Sequence, residues 1–166
     1  MIQLFHNVSQ GCSRITTEQY STSFSSAIKL LHSDLRQSIY NIYGFVRFAD
    51  EIVDTFHEFD KKALLAQFKK ETYDAIDRGL SLNPILHSFQ LTVNKYNVDL
   101  NLIEAFFRSM EMDLDKKAYD AAGYEDYIYP TMIHADYIFN NTKESLEENI
   151  YNDQKLLKII SVLLNE

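Results

Sequence analysis

Three charged side chains, Arg47, Asp50 and Asp54, sit inside an otherwise apolar and aromatic stretch, Ile39–Phe59 (IYNIYGFVRFADEIVDTFHEF). Their intervals of three and four residues put them in one row along a helix. Four residues of α-helix advance the chain by about 6 Å and overshoot one turn by about 40°, so the Asp50 and Asp54 carboxylates can address a common ion. With Arg47 a turn before them, the row makes a seat for a divalent cation and the anion it carries. Acidic pairs four apart are also common on solvated helix faces, and this chain has others in Asp54/Glu58, Glu111/Asp115 and Glu144/Glu148. What distinguishes the first row is its company: Phe45, Val46, Phe48, Ile52, Val53 and Phe56 leave little solvated surface beside it. Charges kept among so many apolar side chains line a cleft or pair with something.

A second group of polar side chains lies upstream, in Tyr20–Phe24 (YSTSF), where four hydroxyls crowd just before the apolar run from Phe24 to Leu31. Serine and threonine in such a place cap a helix by accepting from its free N–H groups. The same arrangement, a hydroxyl-rich helix start, can also face an anion. A third feature, Asp54-x-x-His57, resembles half of a carboxylate-bridged di-iron site. Such sites need a second Glu/Asp-x-x-His, and none of His6, His32, His87 or His134 has an acid three residues before it.

These residues need helices to position them. Ile39, Ile42, Tyr43, Val46, Ala49 and Val53 recur at helical spacing and predict the buried stripe of the central helix, with Ser33 and Asp34 as its cap. Before it, Leu4, Val8, Cys12 and Ile15 give a short helical pattern over residues 2–19. After it, Asp60 predicts a helix start and Gly79 a stop, with Leu64, Phe68 and Ala75 facing inward. Asn83-Pro84 opens a further helix with Ile85, Leu86, Phe89, Val93 and Tyr96. From about Leu100 to Lys117 a fourth strong pattern buries Leu102, Ile103, Phe106, Met110 and Leu114, leaving Arg108, Glu111 and Asp115 on another face. Tyr119, Tyr124, Tyr127 and Tyr129 then gather around Gly123, and Pro130 stops the helix begun at Glu125. A last helix is expected over 142–164, with Leu146, Ile150, Leu157, Ile160 and Leu164 inward.

The 166 residues suffice for about one domain with a substantial core. Only four glycines and two prolines are present, so turns are few and elements long, which favours an all-α chain. A net charge of −8 and an isoelectric point near 5.1 exclude nucleic acid as an expected partner. A polyphosphate substrate would have to arrive with cations. The single Cys12 forms no internal disulfide, so a reducing cytoplasm is the expected location. The amino terminus, MIQLFHNVSQ, carries no recognisable secretion signal, and no apolar run approaches the roughly 20 residues of a membrane span. Peripheral association with a membrane surface is left open.

Taken together, the YSTSF segment, R-F-A-D-E-I-V-D and the acidic MEMDLD helix resemble, in unbroken order over about residues 1–129, the amino-terminal half of the squalene/phytoene synthase family of head-to-head prenyltransferases. The resemblance implies an all-α, isoprenoid-synthase-like helical bundle, incomplete here, with residues 130–166 a divergent or truncated helical tail. It implies that two prenyl diphosphates condense through a cyclopropylcarbinyl diphosphate with the help of Mg²⁺. Carried over residue by residue, Asp50 and Asp54 would bind the metal, Arg47 would contact diphosphate, and Ser21, Ser23 and Phe24 would meet diphosphate and the start of the prenyl chain. Tyr43 and Tyr129 match tyrosines lining the reaction cavity. The family's second aspartate-rich motif, N-x-x-R-D-x-x-x-D, does not occur in residues 130–166, where TMIHADYIF follows Pro130 instead. A second acidic wall is therefore expected from a segment not in this chain or from a partner chain. The alternative is a non-catalytic helical interaction module that keeps the scaffold.

Overall fold

Scarce glycine and proline predict long helices, and the structure, a computed structural model that describes residues 2–114, contains six of them. They are α1 (Ile2–Tyr20), α2 (Thr22–Ile28), α3 (Ser33–Asp54), α4 (Lys61–Arg78), α5 (Pro84–Tyr96) and α6 (Leu100–Leu114). No strand occurs among the described residues, in agreement with the all-α expectation. The chain divides into two units, Met1–Lys95 and Tyr96–Glu166. The expected boundary at 129/130, the tyrosines around Gly123 and the helix over 142–164 all lie outside the described residues.

In the first unit α3 is the central element. Phe45 is buried between two rings, with the Phe89 ring of α5 stacked at 3.8 Å and the Phe68 ring of α4 at 5.5 Å. Burying one such side chain is worth about 1.5–3 kcal/mol. One turn earlier, Asn41 is also buried and donates to Thr92 Oγ1 of α5 at 3.0 Å. The buried face of α3 thus runs through Ser38, Asn41, Phe45, Ala49 and Ile52. The predicted stripe is rotated from this. Of its members Ala49 and Val53 are buried, whereas Ile39, Ile42, Tyr43 and Val46 are half-buried. Periodicity counts apolar side chains, and it missed a face where a satisfied asparagine and a serine sit inside. The cap also differs. His32 is the N-cap and makes no side-chain capping bond, while Ser33 and Asp34 open the helix itself. Asp34 in the first turn suits the positive end of the helix dipole. At the other end Lys61 Nζ donates to Val53 O at 2.6 Å, placing a cation against the last carbonyls.

The first helix does not bury the apolar side chains of its pattern. Leu4, Val8 and Ile15 are more than half exposed, and the buried row is Ser9, Ser13 and Thr17. The reason is close approach. A Cβ built on Gly44 of α3 would come within 3.0 Å of Ser13 Oγ and 3.2 Å of Ser13 Cα, so only small side chains fit between α1 and α3. Two of the hydroxyls on this face are bonded, Thr17 Oγ1 donating to Ser13 O and Ser13 Oγ pairing with Ser88 Oγ of α5, whereas the buried Ser9 Oγ makes no hydrogen bond among the described residues. Asp60 and Gly79 delimit α4 as expected, Asp60 accepting from Ala63 N at 3.0 Å and Gly79 adopting φ +69°. Asn83 Oδ1 likewise accepts from Ile85 N at 3.0 Å where α5 opens at Pro84. In the second unit Asp99 Oδ1 accepts from Asn101 N at the start of α6, which buries Ile103, Phe106, Phe107, Ser109 and Met110.

Where α1 meets α5 there is a histidine pair. His87 is fully buried, and its Nδ1 accepts from Ser81 N at 3.3 Å and from Gln90 Nε2 at 3.4 Å. Its proton is therefore on Nε2 and is donated to His6 Nδ1 at 2.8 Å. Burial, and secondarily the His6 charge, hold His87 below its ordinary 6.5. Below pH 6.5 the unfolded chain then binds more protons than the folded one. The contribution of the neutral imidazole is complete above that pH and is lost as pH falls through the folded value.

Two outcomes follow from this packing. Gly44→Val should lower the unfolding free energy by about 2 kcal/mol, because the new methyls overlap Ser13, and a lower urea midpoint measures it. The urea midpoint of the unaltered protein should also fall between pH 7.5 and pH 5.5, by more than that of His87→Gln, in which this titration is removed.

Candidate functional site

Helix α1 ends at Tyr20, and Ser21 turns the chain in an extended conformation (φ −146°, ψ 104°) before α2. Its hydroxyl accepts from Phe24 N at 3.1 Å, so the capping role expected of this serine is present. Ser23 Oγ lies 3.4 Å from Ser21 Oγ and is exposed. The cap directs Phe24 inward, where it is buried and stacks on the Tyr43 ring of α3 at 4.7 Å and 27°. The Tyr43 phenol in turn hydrogen-bonds Ser21. Its pKa is raised above 10.0 by burial, against the opposing pull of the Arg47 charge and the Ser21 bond, so the phenol is a neutral hydroxyl at pH 7.

One turn along α3, the Arg47 guanidinium lies over the Tyr20 ring, 4.5 Å from its centroid. Arg47 Nη2 donates to Glu51 Oε1 at 2.5 Å, and Nη1 is 3.8 Å from Asp50 Oδ2, a charge contact longer than a hydrogen bond. Its Nε is buried and makes no hydrogen bond. The Glu51 carboxyl is held below its ordinary 4.5, first by a hydrogen bond from Thr55, against the cost of burial, and then by the charge and bond of Arg47 and the Tyr20 hydroxyl. The guanidinium is thus fixed by a ring from the end of α1 and by two carboxylates one turn further along α3.

Of the residues singled out by spacing, the structure brings Ser21, Phe24, Tyr43, Arg47 and Asp50 into one neighbourhood. Ser23 sits at its exposed edge, and Asp54 is exposed in the last turn of α3. Tyr129 lies outside the described residues. Among the described residues no three or more His, Cys, Asp or Glu side chains are gathered closely enough to hold a metal by themselves. His57 is engaged elsewhere, its Nδ1 2.9 Å from Lys61 Nζ. Two participants escape the spacing argument, Glu51 and the Tyr20 ring. An Arg–Glu pair four apart on a helix was the available signal for the first. The second was marked only as a hydroxyl of the YSTSF segment, and nothing in the spacing placed its ring over Arg47, because Tyr20 belongs to a different helix.

The charge balance is unequal. Asp50 and Glu51 share one guanidinium, Arg47, and Asp54 adds a third carboxylate in the last turn of the same helix. An incoming polyphosphate would meet net negative charge unless cations accompanied it. No helix among the described residues is long and apolar enough to cross a membrane.

A profile of squalene/phytoene synthase matches residues 17–132. The chain is also 28% identical over 94 residues to a presqualene diphosphate synthase of Rhodopseudomonas palustris (strain ATCC BAA-98 / CGA009), a match covering 57% of this chain and 33% of that protein. The chain therefore spans about a third of the length of that relative. Because the family match takes in more than half of the chain and every residue of the cluster from Tyr20 to Asp54, the protein belongs to the squalene/phytoene synthase family.

Proposed function

We propose that the chain handles prenyl diphosphates in a head-to-head prenyl transfer of the squalene/phytoene synthase type. The observation that carries the reading is Arg47, pinned by Tyr20, Glu51 and Asp50 beside the stacked wall of Phe24 and Tyr43. A fixed guanidinium next to an aromatic wall suits a ligand that is anionic at one end and hydrocarbon at the other.

Asp50 and Asp54 would hold Mg²⁺. The donor set fits that ion, which is bound through one or two carboxylates and completes its octahedron with phosphate oxygens and water, so a gathered trio of protein ligands is not required. When bound, the metal would offset the diphosphate charge and stabilise the departing group. Arg47 would take the remaining anionic oxygens through its second edge. Ser21 and Ser23 would donate hydroxyls to the diphosphate, and Phe24 would receive the first carbons of the prenyl chain. The neutral Tyr43 ring, stacked on Phe24, would present a π face to the allylic cation. Tyr129, outside the described residues, keeps the cavity-lining role that the family resemblance implies. Departure of diphosphate from one prenyl unit, capture of its allylic carbon by the double bond of the other and loss of a proton to close the three-membered ring would give a cyclopropylcarbinyl diphosphate, in keeping with the name of the R. palustris relative. A second acidic wall would come from another segment or a partner chain.

The test is thermal unfolding of the chain with the unreactive farnesyl S-thiolodiphosphate. A rise in Tm is expected only when ligand and Mg²⁺ are both present. At 100 times Kd the stabilisation is about 2.7 kcal/mol, and Asp50→Asn with Asp54→Asn removes it. No shift in the unaltered protein, or the same shift in EDTA, would leave the non-catalytic scaffold as the reading. Glu51→Gln, which relieves Arg47 of its nearest carboxylate, should tighten binding of the same ligand measured without metal.

A further inference from the structure

Beside this cluster the first unit contains a cavity of about 340 Å³ between α3 and α4, within the size range of small-molecule sites. Phe48, Ile52, Phe56, Leu64 and Phe68 give it apolar walls, and Tyr20 and Glu51 form the edge it shares with the Arg47 cluster. The Phe48 and Phe56 rings remain 37% and 38% exposed, so the walls keep aromatic surface open to an occupant. Among these greasy walls stands Glu71, half-buried on α4. It accepts from Gln67 Nε2 at 2.7 Å, and among the described residues no lysine or arginine pairs with it. Glu51, by contrast, is already matched by Arg47.

A carboxylate next to apolar walls loses hydration that one amide bond restores only in part. An anion would be repelled by Glu51 and Glu71, and a neutral hydrocarbon would fill the walls while worsening the desolvation of Glu71. A cation with an apolar body satisfies both, because its charge meets the carboxylate and its body and charge meet ring faces. We propose that this cavity binds a small lipophilic ammonium ion, with Glu71 as the counter-charge and Phe48 and Phe56 as the ring walls. A lysine side chain from another protein would offer only a thin stem and leave most of the aromatic surface uncovered. The proposal is independent of the diphosphate reading, since it requires neither Mg²⁺ nor an anionic ligand.

The experiment is calorimetric titration of the full chain with cyclohexylmethylammonium and, separately, with its neutral counterpart cyclohexylmethanol, in buffer free of Mg²⁺ and phosphate. Saturable binding of the ammonium is expected, about tenfold or more tighter than that of the alcohol, and Glu71→Gln should weaken the ammonium by a similar factor. Phe56→Ala should weaken both probes. Equal affinity for the two probes would overturn the proposal, and this comparison on the unaltered protein decides even if Glu71→Gln folds poorly. Loss of ammonium binding in Asp50→Asn with Asp54→Asn would also overturn it, by moving the probe to the acidic row. So would equally tight binding of N-acetyl-lysine methylamide, which would point to a protein side chain as the occupant.

Discussion

The position of Arg47 rests on how closely α1 lies against α3. Ser13 packs where Gly44 has no side chain, and the contact leaves no room for even a methyl without displacement. From that point the two helices run on, α1 for two further turns to Tyr20 and α3 for one turn to Arg47, and the ring and the guanidinium meet. A wider separation, as leucines would impose, would take the ring off the guanidinium. Small residues at a helix crossing therefore set the geometry of charges some 10 Å away.

Within the cluster the sign of the charge matters as much as its place. One guanidinium is shared between Glu51 and Asp50 and backed by an aromatic ring, so it is oriented before any ligand arrives. That orientation leaves an excess of carboxylate, which would oppose an anion arriving without cations. The same excess continues into the neighbouring cavity, where no lysine or arginine among the described residues pairs with Glu71. The two proposed sites would share Glu51 as an edge, with Arg47 on one side of it and the apolar walls on the other.

The hydroxyls of the YSTSF segment show how a structural role and a binding role coexist. Ser21 accepts from Phe24 N as a cap, and it also bonds the Tyr43 phenol. The two readings of this stretch were alternatives only on paper. Capping orders the turn that aims Phe24 at Tyr43, and that stacked pair is the wall on which the proposed chemistry depends.

The amino-acid sequence by itself determined the helices: Asp60, Gly79, Asn83 and Pro84 act through bonds and dihedral angles local to each end, and their boundaries appear where those residues stand. It also determined the Arg47–Asp50 contact and the stretch that identifies the family, since neighbours on one helix face are set by the 3.6-residue turn. Which face of α1 and α3 turned inward was decided by tertiary structure, because polar Ser13 and Asn41 become good core residues only when Ser88 and Thr92 of α5 supply partners. Tyr20 over Arg47, and Glu71 in an apolar cavity, were likewise decided there. Each joins residues from different helices, and no spacing along one chain encodes the distance between two.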